Sequence, residues 1–442
     1  MFIRCVFVFV LVAPSVLGQI DANLVKTVFE LDDSDWNTLQ TCENPVDMPE
    51  NWLFGIADRL RQRHIDGIFR ENRNFVINGP DLNTIQSIPQ QKFVDISQSL
   101  FVTKVGKFNS NLYLCEISID EKAKCFCFVP KVPKDWPLDK PMKERVGFFG
   151  ITVRSGTEPV FVASKIAWFP DNLLGKHGMD YGTMDAVAAL PIADILKNKR
   201  NSEERSMQSL RFSESDVEPF YQMLKAASTI PKKEIDAELE KKEDNNFSVV
   251  ELFNRPNLQQ GKLFRLNGVA RRVDKVVVKD KYVREYFGID HYYQIALFTN
   301  DSQGNPLIFC IRELPAGLPI GDGPDFNISL SISGFFYKTW AYKKAGTTQE
   351  SKSQYQFAPL LIAGYVDWFK DARRASSVNN SGYVWTSTTV FLGLACVWVI
   401  FRRFIMKSKP IRFELPSRKI EINEFPVERK EKADNEISID VE

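Results

Sequence analysis

An internal repeat is the feature that most constrains how this chain can fold. Residues 159–169 read PVFVASKIAWF and residues 359–369 read PLLIAGYVDWF, and the two segments align without a gap. Upstream, Gly147-Phe148-Phe149 matches Gly334-Phe335-Phe336. The repeat predicts two copies of one β-rich domain, with chance similarity of two β segments as the alternative. The residues identical in both segments are Pro159 and Pro359, Ala163 and Ala363, Trp168 and Trp368, and Phe169 and Phe369.

Each copy contains several short runs rich in Val, Ile, Phe and Tyr, the residue types that favour strands. In the second copy, residues 262–269 and 273–278 read as two separate strands, and further runs follow up to residue 363. Short antiparallel strands in this number predict a small Greek-key barrel of the OB type, and a small β-sandwich fits the pattern too. The predicted fold class is therefore α+β, mainly β modules: two similar OB-like domains joined by a helical segment, plus one transmembrane helix.

Shifts in composition along the chain predict its segments. Within the helical linker, Ser215 and Glu218 have capping-box spacing ahead of an apolar run, which predicts a helix start there. The segments are a signal peptide (1–18), an N-terminal helical region (19–88), a first OB-like module (89–170), a helical linker (171–248), a second OB-like module (249–369), a stalk (370–382), a transmembrane helix (383–405) and a cytoplasmic tail (406–442).

Two apolar segments determine the predicted topology. The first follows Arg4, is too short to cross a bilayer, and leads to small residues near Gly18, as in a cleaved signal peptide. The second, residues 384–401, carries no charge and is long enough to span hydrocarbon. Basic residues follow it directly, which predicts a cytoplasmic tail and an exported region over residues 19–382. A retained N-terminal anchor and a buried globular helix are the alternatives.

The charge balance excludes two classes of protein. The 442 residues include 57 Lys and Arg against 56 Asp and Glu, a formal net charge of +1. This balance excludes a polybasic nucleic-acid binder and an acidic solvating protein as descriptions of the whole chain. The predicted exported region has no basic excess either, so no nucleic-acid partner is expected.

Six motifs occur together between about residue 90 and residue 370. They are GMDYG (178–182), DVEPFYQML (216–224), FGIDHYY (287–293), DSQGNP (301–306), RELP (312–315) and GFFYKTWAY (334–342). In combination they resemble a family of uncharacterised exported, membrane-anchored proteins encoded by planctomycete bacteria. The resemblance implies a bacterial cell-envelope setting. It implies no activity, cofactor or catalytic residue, because the family has none established.

The spacing of the cysteines does not predict a metal site. The predicted exported region holds an odd number of cysteines, so at least one thiol stays unpaired within a single chain. A Cys-x-Cys pair with one distant cysteine lacks the spacing of zinc ribbons, and no metal or other cofactor is predicted. Buried free thiols, a disulfide and a thiolate metal site are the interpretations, in that order. The cysteines are Cys42, Cys115, Cys125, Cys127 and Cys310.

Two histidines are the candidates for catalysis. His291 follows Asp290 at the start of an apolar strand, and an imidazole beside a carboxylate can act as a general base. His177 and Asp180 would need further ligands to hold a metal. No Gly-x-Ser-x-Gly, Ser-x-x-Lys, His-Glu-x-x-His, P-loop or dinucleotide motif accompanies them. Ordered packing is the alternative role of His291, and the pattern leans away from an enzyme.

Aromatic residues of the second repeat are the candidates for binding. On a barrel face, such side chains with nearby lysines bind oligosaccharides or single strands, whereas core packing is the alternative. We expect a single-pass protein of the cytoplasmic membrane whose periplasmic part binds or scaffolds a protein or an envelope polymer. An envelope hydrolase using His291 or His177, and an assembly subunit without a ligand, are the alternatives. The candidate binding residues are Tyr292, Tyr293, Lys338, Trp340 and Tyr342.

Overall fold

The computed structural model describes residues 22–61, 75–77, 82–119, 123–188, 210–241, 248–343 and 355–370. The chain divides into two compact units, Met1–Asp185 and Ala186–Glu442. The predicted signal peptide, transmembrane helix and tail lie outside the described residues, as does the stalk apart from Lys370. None of the helices described is long and apolar enough to span a membrane.

The first unit begins with helices that local sequence explains. Asp32 and Asp35 form a capping box that starts one helix, because each carboxylate accepts the other residue's backbone N–H at 2.9 Å. Its elements are α1 (Ala22–Phe29), α2 (Asp33–Thr41), a 3-10 turn (Pro45–Asp47), α3 (Glu50–Leu60), β1 (Phe75–Ile77), α4 (Leu82–Ser87), β2 (Phe93–Lys107), β3 (Tyr113–Ser118), β4 (Lys124–Val129), β5 (Pro141–Arg154), β6 (Val160–Ala163), β7 (Ala167–Trp168), α5 (Leu173–Lys176) and a 3-10 turn (Tyr181–Ala186).

Five strands of the first unit pair in a closed ring. Strand β2 pairs with β3, β3 with β4, and β5 with both β6 and β2, all antiparallel. The parallel pairing of β4 with β6 closes the barrel. Strand β1 adds to β2 and β7 adds to β5 outside the ring. The fold of the described residues is thus mixed α+β and mainly β, as predicted.

The second unit also places helices before its sheet. Its elements are α6 (Glu214–Thr229), α7 (Lys232–Glu240), α8 (Val250–Asn254), a 3-10 turn (Pro256–Leu258), β8 (Leu263–Val277), α9 (Lys281–Phe287), β9 (His291–Phe298), β10 (Leu307–Ile311), β11 (Gly321–Asp322), β12 (Ile328–Lys343) and β13 (Tyr355–Trp368). The pairings are β8 with β9, β9 with β10, β10 with β13 in parallel, β13 with β12, and β12 with β8. Its sheet is separate from the first.

Two local predictions in the second unit are wrong in detail. Residues 262–269 and 273–278 are one continuous strand, β8, whose pairing with β9 shifts register between Ala270 and Arg272. A bulge bends a strand without ending it, so the sequence reads as two runs. The helix predicted from Ser215 and Glu218 begins two residues earlier, because Ser213 is its N-cap and Asp216 its partner.

The residues of the repeat occupy the same register in both sheets. Ala163 pairs with Gly150, and Ala363 pairs with Gly334. Four residues before each glycine, the strand pairs with the tryptophan of the repeat, Trp168 or Trp368. The next residue, Phe169 or Phe369, donates its backbone N–H to the carbonyl one position further back, at 2.8 and 3.2 Å.

This register corrects the upstream match by three residues. The residue equivalent to Gly334 is Gly150 and not Gly147, because Gly150 pairs with Ala163 as Gly334 pairs with Ala363. A Cβ at Gly150 would lie 2.5 Å from the carbonyl oxygen of Val162. A Cβ at Gly334 would lie 2.9 Å from the carbonyl oxygen of Ile362, the residue before the repeat alanine. Both positions therefore need glycine for close approach of a neighbouring strand.

Helices cover part of the outside of each barrel. In the first unit, Trp36 of α2 and Leu53, Ile56 and Leu60 of α3 join a buried apolar cluster with residues of β4, β5 and β6. In the second unit, α6 packs on β13, β10 and β12, and α7 packs on β13 and β8. In the second unit, the candidate residues lie in two regions. One is the end of the strand pair β8–β9, and the other is the contact between α6 and the barrel.

Candidate functional site

The two barrels differ most in the connection between their first two strands. In the first barrel, residues 108–112 join β2 to β3 in a short turn. In the second, residues 278–290 join β8 to β9 and include helix α9. We call residues 275–293 together with Arg312 the β8–β9 corner.

Helix α9 is set by its caps and its apolar pair. The Asp280 carboxylate accepts the backbone N–H groups of Tyr282 and Val283 at 2.8 and 3.4 Å, and Gly288 ends the helix with a φ of 68°. Val283 and Phe287 are buried. This packing turns Tyr282 and Tyr286 outward.

The two outward tyrosines form a flat aromatic surface. Their rings stack with centroids 5.3 Å apart and an interplanar angle of 7°. The Phe287 ring meets both of them edge-on. Tyr282 is 40% exposed and Tyr286 is 37% exposed. A supported, half-exposed aromatic pair is suited to binding because little conformational entropy remains to be lost.

Asp290 and His291 lie at the edge of the same corner. The imidazole Nδ1 is 2.9 Å from an Asp290 carboxylate oxygen, and Arg312 donates to the His291 carbonyl at 2.7 Å. The His291 ring contacts Tyr293 at a centroid distance of 5.5 Å, and His291 lies opposite Val277 across the strand pair. Asp290 is exposed, so water weakens this contact. The pKa of Asp290 is lowered; its slight desolvation acts in the opposite direction, and hydrogen bonds from its own backbone and from His291 outweigh it.

This pair has the orientation of a general base but lacks a nucleophile. A carboxylate holding Nδ1 directs Nε2 toward a reacting group in hydrolases. Within the described part of the chain, no hydroxyl or thiol side chain hydrogen-bonds to the His291 ring. The geometry therefore supplies two of the groups that a triad needs, and the enzyme interpretation stays a prediction.

Most of the aromatic candidates for binding lie inside the second unit. Tyr292, Trp340 and Tyr342 are buried, and Tyr293 is half-buried against the barrel core. The Tyr292 ring meets Phe220 and Tyr221 of α6 edge-on, so it serves the contact between helix and barrel. Burial raises the pKa of the Tyr342 phenol.

Lys338, another candidate, is the centre of a buried ion pair. Its ammonium group donates to both Asp216 carboxylate oxygens at 3.0 and 3.1 Å and to the Arg211 carbonyl at 3.3 Å. Lys338 is 0% exposed and Asp216 is 1% exposed. Asp216 also accepts the backbone N–H and hydroxyl of Ser213, at 2.8 and 2.7 Å. The Tyr337 hydroxyl donates to the Asp216 carbonyl at 2.9 Å.

The pair fastens helix α6 to strand β12. Burial lowers the pKa of Lys338, and the Asp216 carboxylate opposes that shift. Because Asp216 belongs to the capping box of α6, one carboxylate both starts the helix and binds it to the barrel. Lys338 is therefore placed to hold structure together and cannot reach a ligand while α6 is in place.

Arg154 occupies the same position in the first barrel. Arg154 pairs with Val160 and Lys338 with Leu360, in each case three residues before the repeat alanine and directly after a register shift. The buried Arg154 guanidinium donates to the carbonyls of Cys42 and Glu43 at 2.7 Å each, at the C-terminal end of α2. Each barrel thus uses one buried cation to hold a covering helix.

His177 and Asp180 do not form a metal centre in the described structure. Asp180 is buried, and its carboxylate accepts the backbone N–H groups of Trp168 and Gly182 at 2.9 Å each. Lys165 lies 3.4 Å from the other carboxylate oxygen. His177 follows α5 as its C-cap. No group of three or more His, Cys, Asp or Glu suited to a metal occurs among the described residues.

The cysteines of the described regions are free thiols. Cys115 lies directly opposite Cys127 on β3 and β4, and both are buried with Cys125 in the barrel interior. Burial raises the pKa of Cys115 to about 12, and it raises the pKa of Cys125, Cys127 and Cys310 as well. These thiols are poor nucleophiles while the barrels are closed.

Sequence reasoning missed Asp216, Arg154 and the tyrosines of α9. Asp216 and Arg154 are ordinary charged residues in sequence, and only the packing of α6 and the register of β5 place them inside. The tyrosines had a usable signal, because Tyr282 and Tyr286 are spaced by four residues between Asp280 and Gly288, the start and stop signals of a helix.

Comparisons with known proteins give no family. No protein-family model matches the chain, and no curated protein sequence matches it. Among solved structures, a chain described as "Structural mimicry for functional antagonism" aligns at 8% identity over 65% of this chain and 99% of that chain, with a TM-score of 0.13. At that score the likeness carries no argument about fold or function.

Proposed function

We propose that this chain is a single-pass, membrane-anchored protein of a bacterial cell envelope, related to the planctomycete family that its motifs resemble. Its exported part binds or scaffolds a protein or envelope polymer through two OB-like barrels. The signal peptide, the transmembrane helix and the cytoplasmic tail of this proposal rest on the sequence pattern alone.

Strand order and register support the OB-like, duplicated architecture. Both rings have the order first, second, third, fifth, fourth, with a parallel pairing between the third and fifth strands. That is the arrangement of a five-stranded Greek-key barrel. The shared pairings of Ala163 with Gly150 and of Ala363 with Gly334 support one ancestral barrel for both.

The β8–β9 corner is the observation that carries the binding function. OB barrels bind ligands at the face of the second and third strands and at the loop between the first and second. In the second barrel that loop is enlarged and presents the stacked pair of Tyr282 and Tyr286. Helices α6 and α7 cover parts of β8, β10, β12 and β13, whereas the corner presents a stacked pair of exposed aromatic rings to a partner.

Capture in the native envelope tests this function. The full-length chain is expressed in its own host, crosslinked in intact cells and recovered with whatever it has bound. We expect the double variant Y282A/Y286A to lose most of the captured material. F101A is the matched control, because Phe101 is a 38% exposed aromatic of the first barrel. Equal capture by Y282A/Y286A and by the unchanged chain would contradict the proposal.

The same capture experiment distinguishes the hydrolase alternative from a binding function. Asp290 and His291 lie beside the tyrosines, so a substrate held there would reach the imidazole. The variant D290N/H291Q keeps a polar side chain at both positions but removes the carboxylate charge and the basic imidazole. We expect it to capture the same partner as the unchanged chain. Accumulation of an uncleaved partner on this variant would favour the hydrolase instead.

A further inference from the structure

We propose that the ligand of the β8–β9 corner is an acidic glycan, a polymer of sugar rings that carry carboxylates. This inference rests on the proposed binding function and names the chemistry of its ligand. It follows from which charges at the corner are already engaged and from the shape of the aromatic pair beside them.

The three carboxylates within the corner, Asp280, Glu285 and Asp290, each have a near partner. Asp280 caps helix α9 by accepting two backbone N–H groups. Asp274 is bonded to Arg272, Glu285 lies 3.7 Å from Lys281, and Asp290 is held by His291. Engaged carboxylates contribute little net field, since each lies against a donor or a cation.

Two cations remain without such a partner. Lys275 and Arg284 are exposed and make no ion pair with any residue in the described regions. Lys279 is also exposed, between them in sequence. Lys275 lies opposite Tyr293 and two residues before Val277, on the strand that leads into the tyrosine helix. The corner therefore presents an uncompensated positive charge next to exposed apolar and aromatic surface, which suits a ligand with negative charge and flat apolar faces.

The aromatic geometry favours sugar rings over bases. Tyr282 and Tyr286 stack on one another, so their inner faces are closed and only outer faces and edges are available. A base between aromatic rings needs two open faces, as in single-strand channels. The C–H face of a sugar needs only one flat edge of aromatic surface. The lack of a basic excess in the predicted exported region also disfavours nucleic acid.

Defined polymers test the ligand class with the full-length chain in detergent. The probes are polygalacturonate, which carries one carboxylate per sugar, dextran as the uncharged glycan, and single-stranded oligonucleotide. We expect polygalacturonate to bind, with affinity falling steeply as salt rises, and dextran to bind at least tenfold more weakly. Equal binding of dextran and polygalacturonate would overturn the carboxylate requirement, and preferred binding of the oligonucleotide would overturn the glycan.

Charge-removing variants locate the site. We expect K275Q/R284Q to weaken polygalacturonate binding at least tenfold at low salt and to flatten its salt dependence. The matched control K233Q/K262Q removes two exposed lysines from the same unit, and we expect a change below twofold. Equal effects of the two variants would refute the corner as the anion site. The proposed function fails separately, when Y282A/Y286A leaves envelope capture unchanged.

Discussion

Replacing Lys338 by methionine tests the idea that a buried ion pair holds helix α6 on the second barrel. Methionine keeps the length of the side chain, so the change removes the ammonium group and leaves little cavity. Three hydrogen bonds are lost, two to Asp216 and one to the Arg211 carbonyl. Removing one partner of a buried pair costs about 3–5 kcal/mol.

The contacts that Asp216 keeps place the expected loss of stability in the lower part of this range of about 3–5 kcal/mol. One carboxylate oxygen keeps the backbone N–H and hydroxyl of Ser213, so the charge is not fully stranded. We therefore expect a loss of about 3–4 kcal/mol in the stability of the α6 contact.

Hydrogen–deuterium exchange of the full-length chain measures this loss locally. Since 1.4 kcal/mol corresponds to a factor of ten, peptides from α6 should exchange at least a hundredfold faster in K338M. Peptides from α3 in the first unit are the internal control and should not change. The double variant D216N/K338M should recover much of the protection, because it leaves no unpaired charge. Exchange of α6 within threefold of the unchanged chain in K338M would refute the reasoning, as would a double variant no better than K338M.

Two further predictions concern glycines and thiols. G150A and G334A should each destabilise their unit by about 1–3 kcal/mol in urea unfolding, because the new Cβ would meet a backbone carbonyl at 2.5 and 2.9 Å. G55A is the control: a Cβ there meets nothing within 4 Å, so it should stabilise α3 by about 0.5–1 kcal/mol. Destabilisation by G55A equal to that of G150A would show that the close approach is not the cause. Iodoacetamide at pH 8 should modify the partly exposed Cys42 before the buried Cys115, Cys125, Cys127 and Cys310, as read by peptide mass mapping. Early modification of Cys115, whose pKa burial raises to about 12, would show that the first barrel opens readily.

The broad architecture was accessible from sequence because it depends on periodic, local signals. Alternating apolar runs predicted a mainly β chain with two β-rich regions, and the presence of two separate sheets confirms that much. The alanines and tryptophans of the two similar segments have matching strand pairings in the two sheets. The glycine match failed by three residues because Gly147 and Gly150 are both crowded, the former by the Ile96 carbonyl at 2.5 Å. Composition cannot tell which of two necessary glycines faces a given strand.

The candidate site was harder to predict because burial is a non-local property. Lys338 and Trp340 follow the glycine of β12 at alternate positions of the strand. This spacing fits an exposed face as well as a buried one, and the packing of α6 is what buries Lys338. Tyr292 and Tyr293 are adjacent in sequence, yet alternation along β9 sends one under α6 and the other toward the barrel core. The repeat itself held the missing information, since aligning Gly150 with Gly334 brings Arg154 onto Lys338.

The two barrels share several structural features and differ in one connection between strands. Both keep the glycine and alanine pairing, the tryptophan register and one buried cation that binds a covering helix. All of these features lie outside the connection between the first and second strands. That connection is a short turn in the first barrel, and in the second it includes the helix that carries Tyr282 and Tyr286. The first barrel is therefore the natural reference: replacing its turn at 108–112 with residues 278–290 should give it weak polygalacturonate binding through Arg284 and the two tyrosines, because Lys275 and Arg312 stay behind. No gain in polygalacturonate binding by a folded graft would refute the role of helix α9 in the binding surface.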